Sequence, residues 1–247
     1  MGIKSVKLKM SKNELKSSLG YGSPSMFQQM AMYACTTLVA PLTNMCSTAA
    51  LAGYAVANKS RTLILAIYQN SSKANTNFVG QAMGAGKIDK LKQGIKIGVT
   101  QGLIFFGATL AFFVIFAEQF TGLFLDPVSD AESFAVSVNT IRFLFPLIFF
   151  NVFNNLFHGI FRAVGSGTLM FISTMVYAVS YVIYAYILFA VLTTELRIYA
   201  VHIALSGAYI TEAVFAAVIF FTGKWKSPIY LELEREYEEK QSVKQAI

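Results

Sequence analysis

Six apolar runs, each long enough to cross a bilayer, leave this chain little alternative to folding inside a membrane. A helix rises about 1.5 Å per residue and needs about 20 apolar residues to traverse the hydrocarbon. By that measure the spans fall at residues 24–46, 48–84, 93–118, 140–161, 168–192 and 198–222. Lipid satisfies no backbone polar group, so spans of this composition are expected to be helices and the fold an all-α integral membrane bundle. The composition agrees: 55% of the residues are apolar and 13% charged, against about 45–50% and roughly 25% in soluble domains. The second run exceeds what a bilayer requires, so it is expected to tilt, start in the outer interface, or bend at Gly53. Residues 119–139, with Asp126, Pro127, Asp130 and Glu132, read as an outer connection carrying a short surface helix.

A formal charge of +7 would suggest nucleic acid as partner for a soluble protein, but here the charges sit at the ends of the apolar runs. They report topology and argue against nucleic acid. Lys4, Lys7, Lys9, Lys12 and Lys16, then Lys87, Lys90, Lys92 and Lys96, then Arg162, Lys224 and Lys226 fall on one side. Glu118, Asp126, Asp130, Glu132 and Glu195 fall on the other, opposed only by Arg142 and Arg197, and Arg142 reads as a headgroup anchor. The lysine-rich side faces the cytoplasm, which gives a multi-pass protein of the cell inner (plasma) membrane with both termini cytoplasmic. Residues 1–19 then form a basic leader, 20–223 the membrane region, and 224–247 a charged tail for which a solvated state is the plain reading. The first apolar run is too long for a secretory signal, so it is expected to remain as a span. Cys35 and Cys46 lie eleven residues apart on one expected helix, about 16 Å by helical rise, where a disulfide needs Cα atoms within about 7 Å. They read as small buried hydrophobes.

Polar residues inside the spans carry the functional signal, because each is costly in lipid. Taken at about 100° per residue, the fourth span aligns Asn151, Asn155, His158 and Arg162 with Asn154 beside them. The second aligns Asn58, Thr62, Gln69, Lys73 and Thr76; the fifth Ser173, Tyr177, Ser180 and Tyr184; the sixth His202, Ser206 and Tyr209 with Glu212 to the side. The first carries Gln28, Gln29, Thr36 and Thr37. Five such faces must converge on one another or on water, which is the geometry of a transport cavity. For any single amide or hydroxyl the plainer role is a helix–helix hydrogen bond, worth about 0.6 kcal/mol.

The candidate cavity contacts are Gln28, Gln29, Gln69, Lys73, Asn151, Asn155, Tyr177, Tyr184 and Tyr209. Lys73 and Glu212 stand roughly 15 Å deep by helical rise; each alone costs on the order of 3 kcal/mol, so the two are expected to face one cavity and partly neutralise each other. His158, whose imidazole ordinarily titrates near 6.5, joins Glu212 as an ion-coupling candidate. His202 near the outer interface reads as a helix–helix bonder. Tyr177, Tyr181 and Tyr184 offer aromatic faces to a cation. An intramembrane hydrolase is excluded by position: Ser166 falls in a cytoplasmic turn and His202 near the opposite face, too far apart for nucleophile and base. Gly84-Ala85-Gly86-Lys87 lacks P-loop spacing, and there is no metal or nucleotide motif, so no cofactor is expected.

Several ordered stretches resemble the second lobe of the MATE (multidrug and toxic compound extrusion) transporters. Gly22-Ser23-Pro24-Ser25 with Gln28-Gln29 is similar to the entry of the family's seventh helix, and Ala49 to Arg61 to the start of its eighth. Phe78-Val79-Gly80-Gln81 followed by Gly84-Ala85-Gly86-Lys87 resembles the end of that helix and its cytoplasmic turn. Gly159-Ile160-Phe161-Arg162-Ala163-Val164-Gly165 resembles the end of the tenth, and Glu212 stands where many members have an acid in the twelfth. The match covers about residues 18–222.

The resemblance implies one six-helix lobe of a twelve-helix transporter, with residues 1–19 as the inter-lobe link. It implies Na+ or H+ as the coupling ion and antiport of organic, cationic amphiphilic drugs or toxins between this lobe and a second one. That second lobe would be a separate chain or another copy in a parallel homodimer. A lipid or lipid-linked sugar flippase of the wider superfamily and a transport-inactive membrane partner are the alternative readings. The chain departs from members that carry acids eight residues past the proline and eleven before the arginine, having Met32 and Asn151 there. The first-lobe aspartate that couples transport in other members lies outside this sequence. With Cys35 and Cys46 replaced by alanine, a membrane-impermeant maleimide should label Ser129→Cys from outside intact cells and Ser242→Cys only after permeabilisation; the reverse pattern would invert the topology.

Overall fold

In the computed structural model, residues 11–245 are described; the first ten residues of the basic leader and the last two of the tail lie outside them. The described residues form helices joined by short turns: α1 (Lys12–Asn44), α2 (Thr48–Gly84), α3 (Ile88–Ile115), α4 (Ala117–Thr121), α5 (Ala131–Asn139), α6 (Phe149–Ala163), α7 (Gly167–Val191), α8 (Arg197–Phe221) and α9 (Pro228–Gln245). A π turn at Thr140–Leu144 and a 3-10 turn at Phe145–Ile148 join α5 to α6, so Ala131–Ala163 runs as one 33-residue rod. Pro146 lacks an N–H and cannot continue regular α-helical bonding there. The fourth span therefore begins at Ala131 rather than at residue 140, and the surface helix expected within 119–139 is its first segment.

Among the described residues, four rods are both long and apolar enough to cross a membrane: α3, the Ala131–Ala163 rod, α7 and α8. The expected first and second spans, α1 and α2, are long at 33 and 37 residues, but their polar faces dilute their apolar content. Around the bundle Ile104, Phe112, Ile183, Ile187, Val214 and Val218 remain exposed, as a belt facing lipid must. Inside, Tyr68, Phe106, Ile141, Phe145 and Ile148 are buried at the centre of the main core.

The ends of the helices follow from local chemistry. Ser47 caps α2 by accepting from the Ala50 N–H at 3.1 Å. Gly86 and Gly165 adopt φ of 65° and 83°, the left-handed region that glycine enters without penalty. At the first, Lys87 N–H reaches Ala82 O at 2.9 Å and Gly86 N–H reaches Met83 O at 3.0 Å; at the second, Ser166 N–H reaches Phe161 O at 2.7 Å. Both are Schellman-type stops, and these two glycines supply the tight exits read from the sequence. Gly80, Gln81 and Gly84 of the same motif lie inside α2. On the opposite side, Asp126 accepts from the Ser129 and Val128 N–H groups, which hold its carboxyl below the usual carboxylate range. Arg142 bonds Glu118 at 3.0 Å, so it closes the outer connection through a protein partner.

Two expectations change. Gly53 does not interrupt α2, which is continuous from Thr48 to Gly84; it lets α5 approach, for a Cβ there would collide with the Ser133 carbonyl. Ser133 Oγ in turn donates to Ala49 O at 2.8 Å. The charged tail is not simply solvated: α9 docks on the end of the bundle through buried Trp225 and Tyr230. Trp225 Nε1 donates to Phe220 O at 2.9 Å and Ser166 Oγ to Trp225 O at 2.8 Å. Glu234 lies 2.6 Å from Lys226 and 3.8 Å from Lys92 of α3. Burial, then the neighbouring Glu234 charge, pushes the Tyr230 phenol above its ordinary value.

Gly53→Ala should therefore cost about 1–3 kcal/mol, as overpacking does, and lower the detergent-solubilised Tm. Gly84→Ala, whose added carbon meets nothing within 4 Å, should leave Tm unchanged or raise it, by up to about 1 kcal/mol of helix propensity.

Candidate functional site: a polar cavity on five helices

The polar faces of α1, α2, α6, α7 and α8 converge on one cavity of about 670 Å³. Gln28, Gln29, Gln69, Lys73, Asn151, Asn155, Tyr177, Tyr209, His158, Glu212 and Arg162 all line it. Tyr184 does not: its hydroxyl bonds Thr211 at 3.0 Å between α7 and α8, and its ring lies against Gly207. Thr62, Ser173, Ser180 and Ser206 also lie off the lining, since a stripe drawn at 100° per residue is wider than the strip of helix the cavity reaches.

At its centre is a chain of polar contacts. Glu212, buried on α8, accepts from Asn154 Nδ2 at 2.8 Å, and the same amide donates to Tyr209 O at 3.1 Å. His158 Nε2 stands 3.2 Å from the other carboxylate oxygen, close enough for an ion pair though short of directed hydrogen-bond geometry. The far side of that imidazole meets Gln28 Nε2 at 3.2 Å; Gln28 also donates to Thr174 at 3.0 Å and accepts from Arg162 at 3.4 Å. A carboxylate, an imidazole and a guanidinium are thus linked across α1, α6 and α8. The expected Lys73–Glu212 pair is replaced by this arrangement: Lys73 is exposed on the wall with no carboxylate within 4 Å among the described residues, and Glu212 is held by α6. The reason is register, because Asn154 and His158 sit one turn apart and converge on Glu212 directly.

Asn151 has a structural share as well. It takes the Tyr68 hydroxyl, and Asn155 Nδ2 donates to its side chain at 2.9 Å, tying α2 to α6. The aromatic wall is ordered: Tyr177 stacks on Tyr209 at 5.2 Å and on Tyr181 at 5.9 Å.

Two residues on the lining had been read otherwise. Arg61, noted only as part of a motif, stands in the cavity with its Nε donating to Asn58 at 3.1 Å. Its signal was present, a cation thirteen residues into an apolar run and three residues on from Asn58. His202, read as a helix–helix bonder near the outer interface, is buried to 3% exposure on the cavity wall with neither ring nitrogen bonded; Tyr54 meets it edge-on at 4.8 Å. The lining carries Arg61, Lys73 and Arg162 against one carboxylate, Glu212. Among the described residues no group of three or more His, Cys, Asp or Glu could hold a metal ion.

An all-helical bundle with this apolar belt and its polar faces turned inward is a membrane-embedded, multi-pass fold. The profile of the MatE family matches residues 24–187, and the chain belongs to that family. Among solved structures, the chain is similar to an outward-facing multidrug resistance MATE family transporter of the MOP superfamily (TM-score 0.77, 21% identity, 91% of this chain and 50% of that one). It is also similar to a MATE in the bent conformation (0.76, 22%, 95% and 50%). A third is a MOP superfamily transporter from Pyrococcus furiosus, for which reverse polarity of the binding pocket suggests a different function (0.75, 23%, 90% and 48%). The chain thus spans about half the length of the transporters it matches. No curated protein matches it.

Tyr184→Phe should cost about 0.5–1.5 kcal/mol for its one hydrogen bond, seen as a lowered Tm, and leave ligand affinity unchanged. Tyr209→Ala should weaken affinity for an aromatic ligand severalfold.

Proposed function

We propose that this chain is one lobe of a cation-coupled antiporter that exports organic amphiphiles, working with a second six-helix lobe supplied by a separate chain or by another copy in a parallel homodimer. The observation that carries this reading is the cavity itself: five helices turn their polar faces to one open side, where a facing lobe would close it. Solved relatives about twice as long support such a partner. The membrane is the cell inner (plasma) membrane and both termini are cytoplasmic, a reading supported by Lys87, Lys90, Lys92 and Lys96 beside the Gly86 turn.

Coupling is assigned to His158 and Glu212. With a proton as the coupling ion, His158 is its carrier, and gain or loss of the proton changes its attraction to Glu212 and its contact with Gln28. With Na+, the Glu212 carboxylate is the ligand and Asn154 Oδ1, buried with no partner among the described residues, is a second oxygen beside it. The faces of Tyr177, Tyr181 and Tyr209 receive the apolar body of the amphiphile, while the cationic head group that the resemblance implies meets Arg61, Lys73 and Arg162 on the same lining.

The test is flux in proteoliposomes holding the chain with and without a co-expressed first lobe, under an imposed pH or Na+ gradient. Gradient-driven efflux of a fluorescent organic substrate is expected, and Glu212→Gln should abolish it while leaving substrate affinity within a fewfold. Efflux that ignores both gradients, or survives that substitution, would overturn the coupling assignment.

A further inference from the structure

The end of the cavity remote from the Gly86 and Gly165 turns is built differently from its centre. Arg61 projects into it from α2, half-buried, and its recorded hydrogen bond is to a neutral amide, Asn58. Among the described residues no carboxylate lies within 4 Å of it; the acid of the cavity, Glu212, is already engaged by His158 and Asn154. Tyr54, Tyr177, Tyr181 and Tyr209 line the same cavity as Arg61. His202, on the same cavity wall and packed against Tyr54, is almost fully buried with both ring nitrogens unpartnered.

A guanidinium presents a rigid fork suited to two oxygens of one carboxylate, sulfonate or phosphate. A neutral imidazole with two idle nitrogens has one N–H to donate to the same group. Lys73, about 18 Å farther along α2 by helical rise, and Arg162 extend the same sign of charge down the cavity, so an anion entering it meets attraction at every depth. A cationic head group would meet three fixed cations and one carboxylate that is already paired.

We propose that Arg61 and His202 form an anion-binding subsite, and that the ligand of this cavity is an organic anion whose apolar body rests on the tyrosine wall and whose acidic head bonds the Arg61 fork. The assignment of that ligand as cargo rests on the transporter reading; the subsite itself does not.

Binding tests it without requiring a complete transporter. The purified chain in nanodiscs of zwitterionic lipid is titrated calorimetrically with naphthalene-2-sulfonate and with the matched cation naphthyltrimethylammonium. The sulfonate is expected to bind at least tenfold more tightly, to weaken as salt is raised, and to lose at least tenfold in affinity in Arg61→Gln. Arg61→Lys, which keeps the charge and removes the fork, should fall between the two, and it carries the comparison if Arg61→Gln does not fold. His202→Phe should lose a smaller factor.

Equal or tighter binding of the ammonium, binding of neither probe, or sulfonate affinity indifferent to Arg61 would overturn the proposal. Displacement of the sulfonate by short-chain phosphatidylglycerol, and not by phosphatidylcholine, would identify a lipid head group as the source of the anion. Failure of the lipid to compete would leave a soluble organic acid. Gradient-driven flux of the ammonium without sulfonate binding would sink the anion subsite and leave the transporter reading intact. Sulfonate binding with no flux, even with a first lobe present, would do the opposite.

Discussion

Hydrocarbon offers no hydrogen bonds, and a helix that must carry amides and charges through it can place them only against other protein or against water. That constraint sets the rotation of five helices in this chain. α6 illustrates it: Asn154 faces Glu212, Asn151 faces Tyr68, and His158 bridges Glu212 to Gln28. Rotating α6 by one residue would strand all three side chains. The apolar residues tolerate more, because Leu, Ile and Phe pack acceptably against either lipid or protein. Polar contacts thus specify the arrangement, and apolar bulk keeps it in the membrane.

The same constraint explains what could be read from the sequence. Spans are legible because thickness dictates length, and the cavity faces of α2 and α6 are legible because a period of 3.6 residues gathers costly groups on one side. Exit glycines 86 and 165 are legible because a Schellman-type stop needs φ > 0, which glycine enters without penalty. Pairings across helices are not, since they depend on relative rotation and depth, which no single-helix period contains. Glu212 is therefore held by Asn154 and His158 and not by Lys73. Tyr184 shared the stripe of Tyr177 yet lies seven residues along it, two turns deeper into the α7–α8 seam, where Thr211 takes its hydroxyl. The start of the fourth span was hidden for another reason: Thr140–Ile148 departs from α geometry, and its polar flank Ser133, Ser137 and Thr140 reads as loop until Ser137 is seen bonded to Thr121 at 3.0 Å.

Family membership and charge distribution then carry different kinds of information. Ordered motifs and the profile match place the chain among MatE proteins. Some motif residues make helix exits, as Gly86 and Gly165 do, and others, Gln28, Arg61, Arg162 and Glu212, stand on the lining. Met32 and Asn151 stand where some members have acids, and Arg61 stands opposite the tyrosine wall. A fold shared at identities of 21–23% therefore leaves the ligand to be argued from the lining itself.

The docked α9 gives the two ends of the bundle unequal mechanical properties. At the far end, Gly53 against Ser133 and buried Ser137 against Thr121 are short-range contacts that solvent ions do not reach. At the α9 end, one carboxylate, Glu234, gathers Lys226 and Lys92 at the protein–water boundary; such pairs are screened by dissolved salt over a distance of about 10 Å at 0.1 M. The α9 end consequently rests in part on contacts that the surrounding electrolyte weakens, whereas at the opposite end the exposed Arg142–Glu118 pair is backed by packing that dissolved salt does not reach.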